Sequence, residues 1–88
     1  MEYQWDPVKA AANLRKHGVS FADAALALED PRALTMTDPD SIGEDRYLCL
    51  GMDPYGRILI TVFLPLGRIT RIISSRKASR AERRTYGD

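Results

Sequence analysis

The stretch DPYGRILITVFLPLG constrains this chain more than any other. A β-branched apolar run, RILITVFL, lies between two turn signals, Asp-Pro-x-Gly before it and Pro-x-Gly after it. Proline presets φ early in such a turn, and glycine takes the left-handed position late in it. Connections this short cannot carry a chain across a sheet. The runs on either side, RYLCLGM and RITRIISS, must therefore lie antiparallel to the central one. The expectation is a meander with strands near 45–52, 57–64 and 68–75. ALTMT, after Pro31, adds a strand near 32–37, reached through the polar loop DPDSIGED.

Upstream of Pro31 the period is helical. EYQW alternates and predicts a short first strand near 2–5. Asp6 is then an N-cap and Pro7 fits the first helical position, where no N–H is needed. VKAAANLRKH continues a helix over 7–17, and Gly18 is its left-handed stop. Ser20 and Asp23 resemble a capping box, flanked by Val19 and Ala24 as a hydrophobic staple. The second helix is expected over 20–30, with Phe21, Ala24, Ala25 and Leu28 on one face and Asp30-Pro31 ending it. At the C-terminus S-R-A-E places Ser79 and Glu82 in a second capping box, opening a short helix that Gly87 stops. The fold class is α+β: a small, mostly antiparallel sheet of about four to five strands, two N-terminal helices on one face, and a short C-terminal helix.

At 88 residues the chain is expected to form a single domain over 1–88. One cysteine, Cys49, allows no intrachain disulfide, and in its apolar strand it reads as a small buried hydrophobe. One histidine and one cysteine exclude the common zinc patterns, so no metal or cofactor is expected. No glycine-rich phosphate loop and no serine nucleophile elbow is present. No run approaches a membrane span and MEYQWDP is no signal peptide, so no membrane partner is expected and the cytoplasm is the expected compartment.

The positive charge is unevenly placed. Residues 1–67 carry six basic and ten acidic side chains, whereas residues 68–88 carry seven basic and two acidic. A basic cluster within a near-neutral chain suits a polyanion or an acidic protein surface. On RITRIISS, alternation puts Ile69, Arg71, Ile73 and Ser75 on one face and Arg68, Thr70, Ile72 and Ser74 on the other. If Ile72 packs on the helices, Arg71 lies on the open side. Arg76 and Lys77 follow at the strand exit, with Arg80, Arg83 and Arg84 on the short helix and Arg46 and Arg57 opening the two preceding strands. Guanidinium forks gathered around one sheet face would suit a phosphodiester. Tyr86 is a candidate for base stacking. The plainer alternative also stands: Arg83 and Arg84 complement the helix dipole and Tyr86 closes the edge of the core.

Three segments, WDPVKAAANLRKHGVSF, GEDRYLCLG and RIISSRKASRAERRTYGD, together resemble the BrnT family of bacterial type II toxins, in order and over essentially the whole chain. The resemblance implies a fold similar to RelE-type toxins and an endoribonuclease that cleaves mRNA and halts translation. It also implies a cognate BrnA-type antitoxin with a ribbon-helix-helix domain, forming a DNA-bound complex that represses its own operon. The implied chemistry is attack by a ribose 2′-hydroxyl on the adjacent phosphate. That reaction needs no metal, but it needs cations at the phosphorane and groups to move protons. On this sequence the resemblance points to Arg46, Arg71, Arg76 and Arg83 for phosphate stabilisation, with Arg57, Lys77, Arg80 and Arg84 holding RNA. Tyr86, Glu82 and His17 are candidates for proton handling. Capping also explains Glu82, and a helix C-terminus explains His17. A competing reading keeps the same basic surface but makes the chain a non-catalytic RNA- or protein-binding module.

Overall fold

Each helix begins where a side chain can satisfy its free N–H groups. In the computed structural model, residues 1–43 and 45–87 are described, and Glu44 and Asp88 lie outside them. The Asp6 carboxylate accepts from Val8 N at 2.8 Å, and helix α1 runs Pro7–His17 to Gly18 at φ 70°. Ser20 Oγ accepts from Asp23 N at 3.1 Å and opens α2, Phe21–Leu28. This helix is shorter than the expected 20–30. The Asp30 carboxylate takes Arg32 N at 2.9 Å and Met52 N at 2.8 Å, which turns the chain towards the sheet instead of extending the helix. Ser79 and Glu82 form the full reciprocal capping box of α3, Arg80–Tyr86.

The strands are β1 Glu2–Gln4, β2 Leu34–Thr37, β3 Tyr47–Met52, β4 Ile58–Leu66 and β5 Ile69–Lys77. They form one sheet in the order β1-β5-β4-β3-β2. The meander from β2 to β5 is antiparallel throughout, as the short turns require. Only β1 runs parallel, pairing with Ile69, Thr70 and Arg71 of β5. The turn before β4 is built on Asp53, whose Oδ1 accepts from Tyr55 N and Arg57 N, with Gly56 at φ 82°.

Helices α1 and α2 cover one face. Phe21, Ala24 and Ala25 pack on Ile72 with Tyr3 and Trp5 at the margin, while Val19 and Ala27 close on Leu59. The approach is tight at Gly51, where an added Cβ would stand 2.2 Å from the Ala27 carbonyl oxygen. Cys49 is buried in its strand, and burial pushes its thiol pKa up. Helix α3 lies on the opposite face, where Tyr86 and Ala78 pack on Leu50, Ile58 and Ile60.

One feature of β5 departs from simple alternation. Val62 pairs with Ser74 and Phe63 with Ile72, so Ile73 is an extra residue. A bulge of this kind resets the faces. Ser75 therefore turns to the helix side, where its Oγ lies 3.0 Å from Thr61 Oγ1, rather than sharing a face with Arg71. Beyond Arg71, β1 no longer covers the edge of β5, and Asn13 of α1 takes its place. Its amide donates to Ser75 O at 2.8 Å and Val19 O at 3.0 Å, and its Oδ1 accepts from Ser75 N at 3.1 Å. A buried carboxamide thus supplies the pairing that a strand would otherwise give.

Candidate active site

The face not covered by α1 and α2 is only partly closed by α3. Beside α3 a groove of about 370 Å³ remains, its floor made by Leu48, Ile60 and Val62. Ser74 and Arg76 of β5 line it, and the reset after the bulge is what aims both towards it. His17 reaches its rim from the last turn of α1, one turn beyond Asn13. Asp38 and Asp40, from the loop after β2, form the other rim.

Arg76 is held in a defined geometry. Its Nη1 donates to Glu82 Oε1 at 2.8 Å and to Lys77 O at 3.2 Å, and its Nη2 donates to Glu82 Oε2 at 3.0 Å. A guanidinium has five N–H donors. The two that remain, Nε–H and the second Nη2–H, have no partner among the described residues. They lie side by side and form a second fork of the kind that binds two phosphate oxygens. The bond to Glu82 raises the Arg76 pKa further, against the effect of burial. The same bond, helped by the backbone of Ser79, pulls the Glu82 carboxyl down to about 2 despite partial burial. Glu82 is therefore a carboxylate at neutral pH, with both oxygens engaged.

The other sequence candidates lie in different surroundings. Arg57 has all three nitrogens in use: Nε on Asp53 at 2.7 Å, Nη1 on Gly18 O at 3.0 Å and Nη2 on Asp23 at 3.1 Å. Arg46 donates to Asp40 O at 3.1 Å and faces Asp38 at 3.6 Å, in a separate depression behind the Asp38–Asp40 segment. Arg83 and Lys77 line a third depression, next to Arg57. Arg71 lies five residues before Arg76 on β5, roughly 16 Å away at strand spacing. Arg80 and Arg84 are exposed on α3. Tyr86 is 7 % exposed, with its hydroxyl donated to Asp30 and Arg32 above its ring, so it has no open face for a base. The hydrogen bond from Tyr86, with those from Met52 and Arg32, outweighs the burial that would raise the Asp30 pKa and holds it below its ordinary value.

The groove thus unites His17, Arg76 and, through Arg76, Glu82. Sequence reading missed Ser74, the apolar floor, the acidic rim and Asn13. Only Asn13 left a signal, as a poor helix former inside an alanine-rich run.

Residues 5–82 match the family described as the ribonuclease toxin, BrnT, of type II toxin–antitoxin systems. The chain belongs to the BrnT family. Its α+β fold is similar to that of the Brucella abortus ribonuclease toxin BrnT, known from a crystal structure at 1.1 Å. The two share 29 % identity over 91 % of this chain and 99 % of the other, with a TM-score of 0.70. No match was found among curated proteins. BrnT toxins are ribonucleases of type II systems, and the matched span contains every groove residue, while Arg83, Arg84 and Tyr86 follow it. Among the described residues no helix is long and apolar enough to cross a membrane.

Proposed function

We propose that this BrnT-family chain cleaves mRNA at the groove beside α3 and thereby inhibits translation, without a metal ion. The observation that carries the reading is the donor fork of Arg76 that no described residue takes, in an apolar-floored groove that His17 also reaches. A phosphodiester seated on that fork would have its developing charge met by a preorganised cation. Histidine is the side chain suited to taking the 2′-hydroxyl proton or returning one to the leaving 5′-oxygen near neutral pH. Glu82 is poorly suited to that task, because its carboxylate is held by Arg76 and Ser79. Arg71 and Arg83 are left to hold the RNA backbone on either side.

The family's place in type II systems supports an antitoxin partner. The partner proposed is a small BrnA-like protein with a ribbon-helix-helix domain that covers the groove and carries the complex to operator DNA. The test of the activity is incubation of purified protein with a defined RNA in EDTA. The expected products carry a cyclic phosphate and a free 5′-hydroxyl, and a 2′-deoxy residue at the cut site blocks scission. Binding with steep salt dependence and intact RNA would instead support the non-catalytic module. Growth arrest that the partner relieves, at matched soluble expression, is the corresponding test in cells.

A further inference from the structure

We infer that Glu82 is a positioning residue, which holds the Arg76 guanidinium so that its second fork stays open to the groove. The inference rests on the reading that Arg76 binds the reacting phosphate, and it assigns Glu82 a role distinct from proton transfer. Arg76 is an exposed side chain at a strand exit, and alone it would sample many rotamers. Glu82 removes that freedom by taking both Nη groups at 2.8 and 3.0 Å, while Lys77 O takes Nη1 as well. Glu82 is itself held through its carboxylate: its Oε1 accepts from the backbone N of Ser79 at 2.7 Å, a bond that does not involve the Ser79 side chain. The helix carrying it is fastened to the sheet by buried Tyr86 and the bond to Asp30. A continuous set of contacts therefore runs from the core through α3 to the donor fork. Oriented groups contribute to rate because the geometry does not have to be found during the reaction.

The capping box offers a simpler role for Glu82, and two variants separate the roles. Ser79→Ala removes one cap bond and leaves the carboxylate on Arg76. Glu82→Gln leaves an oxygen that can still cap Ser79 N, but offers Arg76 one acceptor and no charge. In single-turnover cleavage at saturating RNA, Glu82→Gln is expected to lower the rate by about 10- to 100-fold, the range for a misplaced reacting group. Ser79→Ala is expected to stay within about twofold of wild type while lowering the melting temperature. In an Arg76→Ala background, Glu82→Gln should add no further loss, since the two act as one unit. Glu82→Gln cleaving at the wild-type rate, or Ser79→Ala losing as much as Glu82→Gln, overturns the positioning role alone if Arg76→Ala is slow. Arg76→Ala at the wild-type rate overturns the site reading itself, and the positioning role with it.

Discussion

Arg57 and Arg76 stand at the same end of the β4–β5 hairpin, on opposite faces of the sheet. Arg57 faces the helices and joins the end of α1, the start of α2 and the turn before β4 through Gly18, Asp23 and Asp53. Arg76 faces the groove and is bound by Glu82 and the Lys77 carbonyl, which leave its Nε–H and one Nη2–H without a partner among the described residues. Both are ion-paired arginines in a small, nearly neutral protein, yet their neighbours use them differently. Where carboxylates and carbonyls from three segments converge, the guanidinium is a fastening of the fold. Where one carboxylate occupies one edge, the other edge remains for a ligand. The difference separates the face on which the fold is fastened from the face where cleavage is proposed.

Exchanging the two arginines for alanine gives the largest effects, in opposite readouts. Arg76→Ala is expected to slow single-turnover RNA cleavage by about 10²- to 10³-fold, the size of one lost preorganised donor. Its melting temperature should move little, because the side chain is exposed. Arg57→Ala should do the reverse. It leaves Asp53, whose side chain is fully buried, without its cation, at a cost of about 3 kcal/mol in chemical denaturation. The rate per folded molecule should stay at the wild-type value. Equal stability losses in the two variants would erase the distinction.

Asn13→Ala gives a smaller effect on the boundary between the faces. It leaves Ser75 N, Ser75 O and Val19 O without their partner, at about 2 kcal/mol in urea unfolding. Smallest is the pH dependence of the Arg76–Glu82 pair. Its stabilisation is full above the unfolded carboxyl value of 4.5 and is lost as pH falls through about 2, since the folded pKa is depressed. The melting-temperature gap between wild type and Glu82→Gln should therefore be constant above pH 4.5 and close between pH 4.5 and 2. A gap that persists at pH 2 would show that the pair contributes through packing instead of charge.

Much of the scaffold was legible because its determinants are local. Asp6-Pro7, Ser20 and the Ser79–Glu82 box start helices through contacts a few residues long, and the tight turns dictate antiparallel pairing. The bulge at Ile73 was not legible, since RITRIISS carries isoleucine in both registers and its hydrophobic pattern fits either one. The division between the arginines was hidden for a different reason. Arg57 owes its role to Asp23, which is 34 residues away, and Tyr86 owes its burial to β3, β4 and an aspartate 56 residues away. Local charge density marks where cations are concentrated, but not which of them the fold already uses.

The central claim is that Arg76 keeps an open donor edge for a phosphate and Arg57 does not. It is tested most directly by proton–nitrogen spectra of the arginine Nε–H groups during titration with a 2′-O-methyl oligonucleotide, which binds but cannot be cut. The account predicts that the Arg76 Nε–H resonance shifts and exchanges more slowly with water as the oligonucleotide saturates. The Arg57 resonance, already bonded to Asp53 at 2.7 Å, should stay in place. An Arg76 signal unmoved at saturation, or an Arg57 signal that moves in its stead, would contradict it.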